Sequence, residues 1–453
     1  MNIVVKSFHS ITLFLGLTAT LCAQHVAVEP ADVKNDGWVK RYEDSAKKME
    51  EGNIDLLMIG DSITHGWEGQ RELWDMYYGH RKAINLGISG DRTEHVLWRL
   101  DHLPLNKISP KAAMIMIGTN NVGHGSSNPK QASEGISEIV KRLQKAFPEM
   151  KILVLNVFPR GVNPDDKLRK DVDEINSYLP GLLKDEKNVT LLDINDKMLD
   201  KDGVLTKEIM PDALHPGTKG YGIWARAVEP TLSKLLGEDN PAVKPGDKMG
   251  EQWWRDRHNA NVAQMEKGNI DLLMIGDSIT HGWEGQRELW DQTFGQYKPI
   301  NLGFGGDQTQ HVLWRLDKLP LDKISPKGAE IMIGTNNVGN PHNTPYQIAL
   351  GIKAIVEKLQ KQYSNMKIIV LYVFPRAEKA NDPWRLKVNE INACLPELLE
   401  EMKNVQLVDI NDKFLDEDGT LPKSIMPDSL HPNAEGYKIW ADAITPVLKS
   451  AMP

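Results

Sequence analysis

Five residue types that together could carry out acyl transfer occur twice in this chain, in one order and at one spacing. They are a serine after Gly-Asp, a glycine, an asparagine and an Asp-x-x-His pair: Ser62, Gly90, Asn120, Asp212 and His215, then Ser278, Gly306, Asn336, Asp428 and His431. A serine hydroxyl is a weak nucleophile until a neighbouring base takes its proton, and histidine suits that task near neutral pH. An aspartate three residues before the histidine can turn back to hold the other ring nitrogen and stabilise the imidazolium. The oxygen of a tetrahedral carbonyl gains charge and needs fixed donors. The backbone N–H of Ser62, the N–H of Gly90 and the Asn120 amide could supply three, as could Ser278, Gly306 and Asn336 in the second set.

Other residues near these positions have competing readings. Asp61 and Ser62 are also good helix N-caps, and Asn120 could cap a loop. His65 and His281 follow the serines on the first helical turn and are expected beside them, as pocket wall or solvated polar residues. Trp67 and Trp283, five residues after each serine, are candidate substrate walls. Trp98 and Trp224, with Trp314 and Trp440, lie at helical spacing among Leu and Val and are expected in the core. No His/Cys/Asp cluster has ligand spacing, so no metal site is expected.

The elements that must position these residues are legible from periodicity. Residues 52–75, "GNIDLLMIGDSITHGWEGQRELWD", return unchanged at 268–291, and a shift of 216 aligns the halves without a gap from about Trp38/Trp254 to Pro230/Pro446. This is a duplicated domain, since solenoid repeats run only roughly 20–50 residues. Within the first copy, the runs "IDLLMIG", "KAINLGI", "AAMIMIG", "KILVLNVF" and "VTLLDI" are almost wholly apolar, as strands covered on both faces must be. Between them lie amphipathic helical patterns such as "NPKQASEGISEIVKRLQKAF". Strand-helix alternation predicts, in each copy, a five-stranded parallel sheet with helices on both sides, its site beyond the carboxyl ends of the strands. The candidate residues all fall there. The expected layout is a domain at 32–237, a Gly/Pro/charge-rich linker at 238–247 and a domain at 248–453.

Lys6 and the short apolar run "ITLFLGLTATLCAQ" read as a secretory signal peptide over residues 1–23, so the chain is expected to be exported, to periplasm or medium. Cys22 lacks a small residue just before it, which argues against a lipoprotein membrane anchor. The mature chain would keep one thiol, Cys394, and no internal disulfide. A net charge of −8 supplies no basic stripe, so nucleic acid is not an expected partner.

The blocks Gly-Asp-Ser, Gly, Gly-x-Asn and Asp-x-x-His, with "NLGISGDRTEHVLWRL" and "GTNN", resemble the GDSL or SGNH hydrolases. The similarity is greatest to the catalytic subunits of platelet-activating-factor acetylhydrolase and their bacterial relatives. The resemblance covers nearly all of both copies. It implies two tandem three-layer α/β/α, flavodoxin-like domains, the triads Ser62–His215–Asp212 and Ser278–His431–Asp428, oxyanion donors at Gly90/Asn120 and Gly306/Asn336, and no cofactor. The second block reads Ser89-Gly90 in one copy and Gly305-Gly306 in the other, which leaves the donor glycine in place.

The expected function is serine ester hydrolysis that removes a small acyl group, acetyl, from an extracellular carbohydrate or related small-molecule ester. A lipid-directed esterase and a non-catalytic glycan-binding module are the alternatives. From 84 to 121, 30 of 38 positions match the second copy, whereas "GVNPDDKLRK" and "AEKANDPWRL" differ widely. Such divergent loops beyond strand ends are expected to tune which ester each copy accepts. The relatives form dimers, and the two halves could pair within the chain in the same manner.

Overall fold

The computed structural model describes residues 25–340 and 343–453. The expected signal peptide lies outside the described residues. In the first domain five strands, β1 (Leu56–Gly60), β2 (Ala83–Gly87), β3 (Ala112–Met116), β4 (Lys151–Leu155) and β5 (Val189–Leu192), form an all-parallel sheet in the order β2-β1-β3-β4-β5. The second domain repeats it with β6 (Leu272–Gly276), β7 (Pro299–Gly303), β8 (Gly328–Met332), β9 (Lys367–Leu371) and β10 (Val405–Val408), in the order β10-β9-β8-β6-β7. Both sheets match the expected fold class.

Alternation along each strand builds two cores per domain. Leu57 and Ile59 of β1 pack with Val96, Ile136, Ile139 and Val172 from the helices Thr93–His102, Pro129–Ala146 and Lys167–Leu183. Leu56 and Met58 face the other way, onto Tyr77, Trp224 and Val228 from the helices Arg71–Tyr77 and Thr218–Leu236. A strand buried on both faces has no polar side to offer, hence the continuous apolar runs.

The stretch between the domains packs onto the second one. Ala242 in the turn Pro241–Val243 is buried, and its carbonyl accepts from the Thr309 hydroxyl at 2.7 Å. Ala27 does the same for Thr93 in the first domain, at 2.8 Å. The domains also touch directly, through unlike faces. Arg226 donates to Glu390 (2.6 Å), the Tyr77 hydroxyl donates to Glu390 (3.2 Å), and the Thr344 hydroxyl donates to Glu229 (2.8 Å). Glu229 is itself held by Arg81 at 2.7 and 2.9 Å, with both side chains almost wholly buried.

One core position separates the copies chemically. Glu330 stands in the middle of β8, where β3 has Met114, and is 1% exposed. One carboxyl oxygen accepts from the Trp440 indole at 2.9 Å and the other has no partner, so burial pushes the group up to about 8. Because the folded value lies above the ordinary 4.5, the stabilised form is the protonated one. Its contribution is complete below pH 4.5 and is lost as pH rises through about 8, at about 1.4 kcal/mol per pH unit in between. Urea unfolding at pH 5 and pH 8.5 is expected to show a fall in wild type and a clearly smaller one in Glu330→Met, where the buried Asp61 and Asp277, both pushed up to about 7, keep their own share. An unchanged pH dependence in that variant would refute it.

Candidate active site

The chain turns from β1 into a short helix, Ser62–His65, within one residue. Asp61 caps that helix by accepting from the Ile63 N–H at 2.9 Å, so the capping role of the Gly-Asp-Ser stretch is real. Ser62 is then the first helical residue, and it also meets the distant histidine. Its Oγ lies 2.9 Å from His215 Nε2, and His215 Nδ1 lies 2.7 Å from Asp212 Oδ2. In the second domain Ser278–His431 is 2.9 Å and His431–Asp428 is 2.6 Å.

The Asp-x-x-His spacing works because the aspartate folds back on its own loop. Asp212 Oδ1 accepts from the backbone N–H of Leu214 (3.1 Å) and of His215 (2.7 Å), leaving Oδ2 for the ring. Partial burial works to raise the Asp212 carboxyl, but the bonds from the His215 ring and backbone outweigh it and hold it below its ordinary value. Asp428 is held down in the same way. An ionised carboxylate on the far ring nitrogen leaves Nε2 free to accept a proton from the serine.

The donor side is equally ordered. Ile88 N–H donates to the Gly60 carbonyl at 3.3 Å and Asp91 N–H to the Ile88 carbonyl at 3.2 Å, with Gly90 at φ +81° between them. Gly306, at φ +70°, occupies the same left-handed conformation, which a residue with a Cβ adopts at a cost. The Asn120 amide donates one hydrogen to the Asp91 carbonyl at 3.0 Å, as Asn336 does to Asp307. This anchors each amide to the glycine loop through one of its two hydrogens.

Sequence reasoning missed what holds that loop. Asp91 is fully buried and takes the Arg99 Nε and Nη2 donors at 2.9 and 2.6 Å, while Trp38 Nε1 donates to its other oxygen at 2.6 Å. In the second domain Arg315 Nε and Trp254 hold Asp307 in the same way. The available signal was the retention of Asp, Arg and Trp in both copies, with the arginine set among apolar residues. Arg376 was also missed. It donates to the Thr335 carbonyl, beside Asn336, at 2.8 Å, and burial lowers its pKa.

Trp67 and Trp283 do not line the site, contrary to expectation. At 1% and 0% exposure, each indole is packed among aromatic core residues, Trp67 against Tyr221 (4.7 Å), Tyr78 (5.1 Å) and Trp224 (5.3 Å). Tight turns over Gly66–Gly69 and Gly282–Gly285 carry them away from the serines and into the layer behind. His65 does lie beside the serine without joining it: its Nδ1 meets Ser89 Oγ at 3.0 Å. With Val33, Arg41, Ile88 and Gly90 it lines a cavity of about 490 Å³. Among the described residues no group of three or more His, Cys, Asp or Glu is placed to hold a metal ion.

The sequence profile of the GDSL-like lipase/acylhydrolase family matches residues 58–223 and again 274–439. The chain belongs to that family, as two tandem copies, and its class of activity is ester hydrolysis. It is 39% identical over 204 residues to platelet-activating factor acetylhydrolase IB subunit alpha2 of Rattus norvegicus, a match covering 44% of this chain and 87% of that one. It is 35% identical over 206 residues to the human alpha1 subunit, covering 45% and 87%. Similar solved structures include a GDSL-like lipase from Bacteroides thetaiotaomicron (22% identity, TM-score 0.36, 44% and 98% covered). Another is an acetylxylan esterase from Geobacillus stearothermophilus (20%, 0.34, 41% and 95%).

Asp91→Asn strands the buried Arg99 charge and loosens the glycine loop. With Ser278 replaced by Ala so that the first site acts alone, kcat is expected to fall about 10- to 100-fold. The shape of the pH–rate profile should stay the same, since the His215 contacts are untouched. Wild-type kcat in that variant would show that the ion pair does not position the donors.

Proposed function

We propose that each domain is a complete serine esterase that removes acetyl groups from an extracellular carbohydrate ester. The observation that carries this reading is the unbroken Ser–His–Asp hydrogen-bond chain, formed twice at matching distances. In each site the serine Oγ attacks the ester carbonyl as His Nε2 takes its proton. The Ser and Gly N–H groups and the Asn amide receive the developing oxyanion, and the imidazolium, steadied by Asp, passes the proton to the leaving alcohol. Water then attacks the acyl-serine by the same route and frees the acid.

The acetyl group is supported by the relatives, whose name is acetylhydrolase. Export is supported by the basic start and short apolar run of residues 1–23. No helix of the described residues is long and apolar enough to cross a membrane. The Arg226–Glu390 and Thr344–Glu229 contacts support an intramolecular pair of sites.

Hydrolysis of p-nitrophenyl acetate, butyrate and octanoate by Ser62→Ala, Ser278→Ala and the double variant tests this. Acetate is expected to be the best substrate, each single variant to lose part of the rate, and the double variant to lose about 10⁴-fold or more in kcat. Undiminished turnover in the double variant would overturn the triads, and preference for octanoate would point to lipid esters instead.

A further inference from the structure

Among the described residues the exposed large apolar side chains are Val26, Val39, Val162, Trp253 and Trp384. The two indoles are 44% and 48% exposed, and both belong to the second domain. Trp253 lies on the glycine loop: its Cη2 is 3.7 Å from where a Cβ on Gly305 would be, next to Gly306. The segment that carries it is pinned there. Lys248 donates to the Gly306 carbonyl at 2.8 Å, Arg255 to the Met249 carbonyl at 2.6 Å, and the Trp253 indole N–H to Glu251 at 2.9 Å.

Trp384 belongs to the other side of the site. Arg376 lies over one face of its ring, 3.8 Å from the centroid, and the same guanidinium donates to the carbonyl beside Asn336. The neighbouring Ala377 N–H donates to the Ser429 carbonyl, inside the Asp428–His431 turn, at 2.9 Å. One indole face is therefore taken by the guanidinium, while nearly half of the side chain remains open to solvent. In sheet order β9-β8-β6-β7, Trp384 follows β9 and Trp253 sits over the loop after β7, with the Ser278 strand β6 between them. Those outer strand ends are three spacings, roughly 14 Å, apart.

The first domain lacks both features. It has Gly37 and Leu168 at the equivalent positions, and Ser89 in place of Gly305. Trp384 falls within the divergent stretch "AEKANDPWRL".

We propose that the second domain binds an acetylated oligosaccharide across Ser278, with sugar rings on Trp253 and Trp384, while the first domain takes shorter esters. This rests on the esterase reading above. A sugar ring offers an apolar C–H face rimmed by hydroxyls, and each indole here is a flat apolar surface with a charged group at hand: Glu251 accepts from the Trp253 indole N–H, and Arg376 covers one face of Trp384 and leaves the rest of the ring to solvent. A lipid chain calls for a contiguous apolar surface, whereas these indoles stand separately on either side of the nucleophile.

The test uses Ser62→Ala protein, so that the second site alone turns over, with acetylated xylo-oligosaccharides of one to six rings and p-nitrophenyl acetate as substrates. KM is expected to fall with ring number, by about tenfold from one ring to six. Trp253→Ala and Trp384→Ala should each raise KM for the six-ring substrate about tenfold more than they affect p-nitrophenyl acetate, and Trp→Tyr should recover most of that loss. A KM independent of ring number, or equal losses on both substrates, overturns the proposal. So does a selective loss on p-nitrophenyl octanoate, which would make the indoles a lipid contact. Calorimetry of the six-ring oligosaccharide with the Ser62→Ala, Ser278→Ala protein separates the two readings. Trp-dependent binding without any turnover in the parent enzyme would sink the esterase reading while leaving the glycan site standing.

Discussion

Ser62 is placed by two glycines whose missing side chains let a helix lie directly on strand ends. A Cβ on Gly60 would meet Thr64 Oγ1 at 2.1 Å and the Met116 carbonyl at 2.4 Å, and one on Gly87 would meet the His65 backbone nitrogen at 2.3 Å. Gly276 and Gly303 meet the same atoms of the second copy at 2.0, 2.5 and 2.2 Å. Because the helix Ser62–His65 sits this low, Asp61 is sealed beneath it, where burial pushes its carboxyl up to about 7. The Tyr221 hydroxyl then reaches the Ile63 carbonyl at 2.7 Å. Tyr221 lies in the helix that follows the His215 loop, so one bond ties the Ser62 helix to the element that follows His215.

Charges are buried around the site where they fix geometry. Removing Asp91 and Arg99 from water costs several kcal/mol per ion, which their contact only partly returns. What the fold gains is a glycine loop whose carbonyl, at Asp91, also anchors the Asn120 amide. A loop and amide held by a buried ion pair are fixed in advance, as the donors of an oxyanion hole must be.

The two copies meet through different faces, and this explains part of their divergence. Tyr77, Arg81, Arg226 and Glu229 of the first domain reach or brace the contact, and the second domain has Thr293, Tyr297, Asp442 and Thr445 at those positions. Contact between unlike faces leaves a repeatable surface at each end and can propagate into open chains.

Much of this protein was legible without coordinates. The order of blocks, the apolar runs of β1 to β5 and the helical spacing in residues 129–146 are local patterns, and local patterns fix element type and the strand edge that carries the chemistry. The Ser62–His215–Asp212 set could be named because its residue types are those the reaction demands. Trp67 is the counterexample: closeness in sequence to Ser62 suggested a substrate wall, and packing against Tyr221 and Trp224 put it in the core. The Trp38 contact to the Asp91–Arg99 pair, the buried Arg81–Glu229 pair and the placement of Trp253 and Trp384 on either side of Ser278 join residues 53 to 148 positions apart. Sequence alone determined the fold class and the duplication and named the candidate reacting groups, since these follow from backbone periodicity and side-chain chemistry. Tertiary structure decided which aromatic rings are buried, which charges are paired and how the two sites differ, because those outcomes depend on which surfaces meet.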